Sequence, residues 1–160
     1  MPDGAVPFLR GMVPPWLVPA LAALGEREVP GALANPVIVD MHEAVDGERF
    51  DDDVPWCSAF ALWALVQTGL PRPGGVTRLA RSWLRADGLA TLDSPALGCL
   101  AVLRRGQPWQ GHVGFVVGRT AGCLVLLGGN QGDQVAITPY SESLALGFRW
   151  PLAFERREPL

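Results

Sequence analysis

Nineteen glycines and fifteen prolines are spread through 160 residues, and they limit what this chain can fold into. Proline fixes φ and lacks an amide hydrogen, while glycine ends helices and supplies turns, so the elements between them must be short. One run escapes this punctuation: Cys57-Ser58-Ala59-Phe60-Ala61-Leu62-Trp63-Ala64-Leu65-Val66-Gln67-Thr68, closed by Gly69 and Pro71. It is apolar on nearly every face, which predicts a helix sunk in the core.

The segments before this helix are weaker. Met1 to Pro15 reads as irregular. A short helix is expected over Leu17 to Leu24, with Pro19 tolerated near its first turn and Gly25 as its stop. Asn35-Pro36 has the form of an N-cap followed by proline at the first helical position, which predicts a second helix to about His42. Ala44 to Trp56, with Asp51-Asp52-Asp53, reads as a polar, solvated loop. Thr77 is placed to cap an amphipathic helix from Arg78 to Ala86, whose apolar contacts are Leu79, Trp83 and Leu84.

Beyond Gly98 the texture changes. Leu100–Leu103, His112–Val117, Cys123–Leu127 and Val135–Thr138 are short apolar or β-branched runs bounded by turn residues, and they read as strands. Phe148–Phe154 is a weaker candidate because Pro151 interrupts it. Helices first and strands second predict an α+β fold with an antiparallel sheet, not an alternating βαβ fold. Residues 1–160 are expected to form one domain, with a core able to bury about 70% of the unfolded surface.

Composition excludes several classes. The chain is 49% hydrophobic and 18% charged, with a net charge of −3. That is a globular composition without a basic stripe, so nucleic acid is not an expected partner. No apolar run is long enough to span a membrane. The start, Met1-Pro2-Asp3-Gly4, lacks the pattern of a secretory signal, so synthesis in the cytoplasm is expected. The three cysteines, Cys57, Cys99 and Cys123, form no CxxC pair, and neither a disulfide framework, a metal site nor a cofactor is expected.

Cys57 stands where the buried helix begins. Unsatisfied N–H groups and the helix dipole favour a thiolate there, which predicts a lowered pKa and alkylation ahead of Cys99 and Cys123. The plain alternative is a small buried apolar residue. His112 opens a strand that otherwise carries no polar side chain, and alone it reads equally as a surface histidine. Asn130, in Gly128-Gly129-Asn130-Gln131-Gly132, is an ordinary turn residue when taken alone.

Together the three are more informative. A hairpin centred on Ala121, with Thr120-Ala121-Gly122 as its turn, sets Asn130 opposite His112 on the same sheet face. A slip of one residue would move it to the other face. Thiolate attack on an amide needs an imidazole to take and return a proton, and a third polar group to orient the ring. Cys57, His112 and Asn130 are therefore the candidate catalytic residues, with the backbone N–H of Cys57 or Ser58 as oxyanion donor. Trp56, Ser58, Asp53 and Gln131 are expected to support the site or touch substrate. Cys99 and Cys123 read as core, and His42 as a surface residue.

Eight segments carry a resemblance to a known family. They are Pro14-Pro15-Trp16-Leu17, Leu24 to Gly31, Asn35-Pro36, Asp53-Val54-Pro55-Trp56-Cys57-Ser58-Ala59-Phe60, Ala80 to Leu84, Gly111 to Gly118, Leu127 to Gly132 and Gly147 to Pro151. In this order they resemble the NlpC/P60 and CHAP cysteine peptidases of bacteria and phages. The resemblance implies a papain-like fold with the nucleophile helix packed on a small antiparallel sheet. It implies Cys57 as nucleophile, His112 as base, and Asn130 as the orienting group with Gln131 as its competitor. The implied substrate is peptidoglycan, cut within the stem peptide or at the amide joining peptide to sugar. Relatives usually carry Gly-Asp where this chain has Gly98-Cys99.

Without a signal, the expected routes to the wall are a phage pore or injection by a secretion system, with action in the periplasm or cell wall. A holin, the secretion machinery or an immunity protein would be the accompanying partner. A non-catalytic wall-binding module on the same fold is the alternative. A glycosidase built on Glu28 with Glu43 or Asp53 would need carboxylates flanking a sugar, and nothing in the sequence sets them so.

Overall fold

A computed structural model describes residues 13–154 and 160. The expected irregular start, apart from Val13 to Pro15, and the Met1–Gly4 signal reading lie outside the described residues.

Among the described residues, three α-helices come first: α1 (Leu17–Ala22), α2 (Pro36–Asp46) and α3 (Cys57–Val66), followed by a 3₁₀ segment (Ala80–Arg85). Six strands follow: β1 (Leu89–Leu92), β2 (Leu100–Arg104), β3 (Gly111–Thr120), β4 (Cys123–Gly128), β5 (Ala136–Ser141) and β6 (Ala145–Pro151). They form one antiparallel sheet in the order β1-β6-β2-β3-β4-β5. The architecture is α+β, with helices before sheet.

α3 is the centre of the fold. It packs against α2 and β3. Eight of its ten residues are buried, and only Trp63 and Val66 are partly exposed, as a helix without a polar face requires. Phe60 meets Phe115 of β3 edge-on at 6.2 Å between ring centroids. Trp16, Trp56, Trp83 and Trp150 are all essentially buried, and each indole N–H has an acceptor. Trp16 donates to the Gly98 carbonyl at 2.8 Å and packs edge-on against Trp150, tying α1 to the sheet. The departure at Gly98-Cys99 is accommodated in this core, where Cys99 is fully buried.

Several expectations need correction. α2 begins as read, with the Asn35 side chain accepting from the Val37 N–H at 2.9 Å, but it continues to Asp46 before Gly47 turns left-handed. The expected helix from Arg78 to Ala86 is a 3₁₀ segment over Ala80–Arg85, because Leu79 is extended and Ser82 bonds back to the Leu79 carbonyl. Leu89–Leu92 was not anticipated as a strand; it gains its partners from β6. Pro151 ends β6 and does not break it.

The acidic loop is not uniformly solvated. Asp52 is buried, and its Oδ2 accepts from the Val29 N–H at 2.6 Å and the Asn35 N–H at 2.7 Å. His42 is fully buried, with its Nε2 at 3.1 Å from the Val54 carbonyl, so it is not a surface residue. These contacts hold the 26–35 segment and the approach to α3 together. Asp52→Ala removes the acceptor for both amides. It should cost about 2–4 kcal/mol in urea unfolding, since buried donors lose charged partners. A loss below about 0.5 kcal/mol would show that other contacts hold the segment.

Candidate active site

Cys57 is the first residue of α3 and opens onto a cleft of about 680 Å³. The cleft is also lined by Thr77, Arg78, Leu79, Arg105, Trp109 and Asn130. His112, the second residue of β3, faces a smaller adjoining hollow of about 310 Å³ with Arg105, Gln131, Tyr140 and, again, Asn130. α3 packs on β3, and the main chain at Val113, the residue after His112, lies close enough to the Cys57 thiol to favour its charged form.

The expected hairpin is correct near the site and wrong at its turn. Thr120 pairs with Cys123, so the turn has two residues, and the ladder is one step off the expected register. A bulge between Val116 and Gly118 then shifts it, and Phe115 pairs with Leu127 in the expected register. The paired ladder does not extend to Asn130. β4 ends at Gly128, and Asn130 takes a left-handed conformation with φ of 55°. Face alternation therefore stops before it.

The group bonded to His112 is Gln131, whose Oε1 lies 2.8 Å from His112 Nε2. Asn130 instead sits at the rim of both cavities. The Gln131 amide nitrogen donates to the carbonyls of Leu126 at 3.1 Å and Ala136 at 2.7 Å. Two carbonyls can only accept, so the NH₂ must face them and the oxygen must face the ring. The oxygen then needs a donor, so Nε2 carries the proton and Nδ1 holds the free lone pair.

The glycine pair before Asn130 is required by crowding. A Cβ at Gly129 would lie 2.6 Å from Phe60 Cβ and 2.7 Å from the Trp56 ring. One at Gly128 would collide with Gln131 Oε1 and approach His112 Nε2 to 3.3 Å.

The remaining expected residues divide. Trp56 is fully buried and donates to Glu28 Oε1 at 2.9 Å, so it supports the helix start and offers no surface to a substrate. Ser58 is buried; its hydroxyl donates to the Thr77 carbonyl at 2.5 Å and accepts from Trp83 Nε1 at 2.8 Å, fixing the 77–83 segment beside the cleft. Asp53 does not line the cleft; it lines a separate acidic hollow with Glu28, Asp51, Asp52 and Asp133. Burial raises the Glu28 carboxyl from its ordinary value, and Glu43 is paired with Arg49 at 2.5 Å; neither lines the cleft.

Sequence reasoning missed Arg105, Trp109 and Tyr140. The Tyr140 ring lies 5.3 Å from the His112 ring. Arg105 and Trp109 had a readable signal. They lie in the turn between β2 and β3, and the pairing of Arg104 with Gly111 sets that turn at the His112 end of the sheet.

The thiol also departs from expectation. Burial pushes the Cys57 thiol up, against hydrogen bonds from the main chain at Val113 and Ser58 and the charge of Arg105. Burial likewise lowers His112, offset by the Gln131 bond and reinforced by Arg105. The resting pair is therefore a thiol beside a neutral imidazole. Cys99 is pushed up to about 12 by burial. Cys123 is only half-buried, so it is not the core residue expected.

Residues 49–130, just over half of the chain, match the CHAP domain family. The chain belongs to that family. CHAP domains have a papain-like fold and are usually hydrolases, amidases or peptidases acting on peptidoglycan. The CHAP match contains Cys57, His112 and Asn130 and ends one residue before Gln131. Comparison with curated proteins gave no match. Among the described residues, no helix is long and apolar enough to cross a membrane.

A buried neutral thiol makes a kinetic prediction. Iodoacetamide labelling of Cys57 in the free protein should keep rising with pH through and beyond the ordinary thiol range, near 8.5. A plateau already reached at neutral pH would show that a thiolate–imidazolium pair exists at rest.

Proposed function

We propose that this protein hydrolyses an amide bond of the peptidoglycan stem peptide, with Cys57 as nucleophile, His112 as general base and acid, and Gln131 as the residue that positions the ring. The observation that carries this reading is the Gln131 amide, whose two carbonyl acceptors leave His112 with a basic Nδ1 beside the helix that bears the thiol.

In the acylation step, Nδ1 takes the Cys57 proton as Sγ attacks the carbonyl carbon. The oxygen gains negative charge beside the N-terminus of α3, where the Cys57 N–H serves as donor. His112 returns the proton to the leaving amine as the C–N bond breaks, leaving a thioester. Water then attacks the thioester, giving a proton to His112, and the thiol is restored as the acid leaves. The neutral resting pair suits this sequence, because the proton moves only when the carbonyl is in place. Asn130, at the rim of both cavities, is positioned for the peptide backbone and not for the ring.

Mass spectrometry of purified peptidoglycan digested with wild type and with Cys57→Ala tests this. Only wild type should release fragments, and their masses separate stem cleavage from cleavage at the sugar–peptide amide. Equal release by both proteins would exclude the thiol. Binding without release by either would identify a wall-binding module.

The pH dependence has a definite sign. The reaction needs neutral His112, and burial lowers its pKa from 6.5. On a synthetic stem peptide, kcat/KM should therefore stay high as pH falls to 6.5 and drop only below it. A half-maximal point at or above pH 6.5 would mean that the histidine in the reacting state is not held neutral by burial.

A further inference from the structure

Among the described residues, the charged side chains that line the cleft over Cys57 are Arg78 and Arg105, with no aspartate or glutamate, although the whole chain has a net charge of −3. The Arg78 guanidinium lies 4.2 Å from the centre of the Phe50 ring. Arg105 differs. It is exposed, and among the described residues it makes no hydrogen bond or ion pair. It lines both the cysteine cleft and the histidine hollow. Its charge reaches Cys57, His112 and Tyr140.

We propose that Arg105 anchors a free carboxylate that the substrate peptide carries close to the scissile amide, and so selects acidic stem peptides over their amidated forms. This rests on the hydrolase reading above.

Three observations support it. First, among the described residues Arg105 makes no hydrogen bond or ion pair that would account for its position; a guanidinium fork with open donors matches a carboxylate in geometry and charge. Second, its surroundings strengthen the attraction. Trp109 and Leu79 line the same cleft with 61% and 53% of their surface exposed, and a peptide covering them would exclude water from the ion pair. Third, Arg105 is held near the reaction. Its loop is fixed by Arg81 Nε donating to the Gln110 carbonyl at 2.6 Å and by the Gln107 N–H donating to Gln110 Oε1 at 2.8 Å.

The anchor also links binding to chemistry. Free Arg105 opposes a positive charge on His112. A bound carboxylate cancels that opposition, so the imidazole becomes a stronger base when an acidic peptide is in place. Amidated peptides would lose both the contact and this gain, and selectivity should appear in kcat as well as in KM.

The test uses synthetic stem peptides in which each carboxylate in turn is replaced by a carboxamide. Wild type, Arg105→Gln and Arg105→Lys are compared for kcat/KM, and Cys57→Ala protein for Kd by calorimetry. One carboxylate should matter by about tenfold or more in wild type, as a charged hydrogen bond implies. Arg105→Gln should bring that ratio to about one, and Arg105→Lys should keep part of it. The proposal is overturned if every ratio in wild type is near one, or if Arg105→Gln leaves the preference intact. Should wild type cleave none of the peptides, the hydrolase reading fails. The Kd values still decide the anchor: equal affinity for acid and amide, or no binding of either, overturns it.

Discussion

The seating of the α3 N-terminus against the Gly128-Gly129 corner of β4 is the contact on which the site depends. With no Cβ at Gly129, the Phe60 and Trp56 side chains come against the strand backbone, and this brings the first residue of the helix beside β3. A side chain at either glycine would push helix and sheet apart or displace Gln131. Interiors are packed closely enough that such a shift is not absorbed locally. Core packing thus sets where the two proposed catalytic residues, Cys57 and His112, stand.

The core also decides the charge state. A helix terminus favours a thiolate by up to about 2 kcal/mol. Removing a charge from water costs several kcal/mol. Cys57 is 6% exposed, so desolvation wins, and the same argument keeps His112 neutral. The position of a cysteine at a helix start was visible in the sequence, but its burial was not, because burial comes from tertiary packing of the helix, including its contact with β3. That is why the dipole argument gave the wrong direction for the thiol.

The legible features were those set by local chemistry. The uninterrupted apolar run, the Asn35-Pro36 cap and the alternation of helices before strands are short-range signals, and the fold contains each of them. Cys57 and His112 were readable because a lone cysteine at a helix start and a lone polar residue on an apolar strand both stand out. The choice between Asn130 and Gln131 was not readable. It depends on a bulge near Val117 and on the left-handed turn at Asn130, neither of which follows from alternation. Tyr140 was hidden for a related reason. Along the ladders it lies opposite Leu124, which lies opposite Arg119, well along β3 from His112, so strand pairing alone does not reveal that the two rings are 5.3 Å apart. Asp52 was lost in an acidic run whose members look alike until one turns inward.

The site divides into a rigid part and a surrounding part. Cys57, His112 and Gln131 stand at the ends of elements or on a turn whose side chains are buried and bonded. The walls of the cleft come from Thr77–Ala80 and Arg105–Gly111, which lie mostly outside regular elements and are tied down by a few hydrogen bonds: Ser58 to Thr77, Arg81 to Gln110 and Gln110 to Gln107. Loops of this kind can change without disturbing the core beneath them. On the proposed reading, the helix–sheet contact fixes the reacting atoms, while the two loops that carry Arg105, Trp109 and Leu79 form the surface a substrate would meet. A substitution in the loops should alter selectivity with little effect on stability, and one in the glycine corner should do the reverse. That separation follows from burial: the proposed catalytic side chains lie in the core, whereas Arg105, Trp109 and Leu79 are exposed.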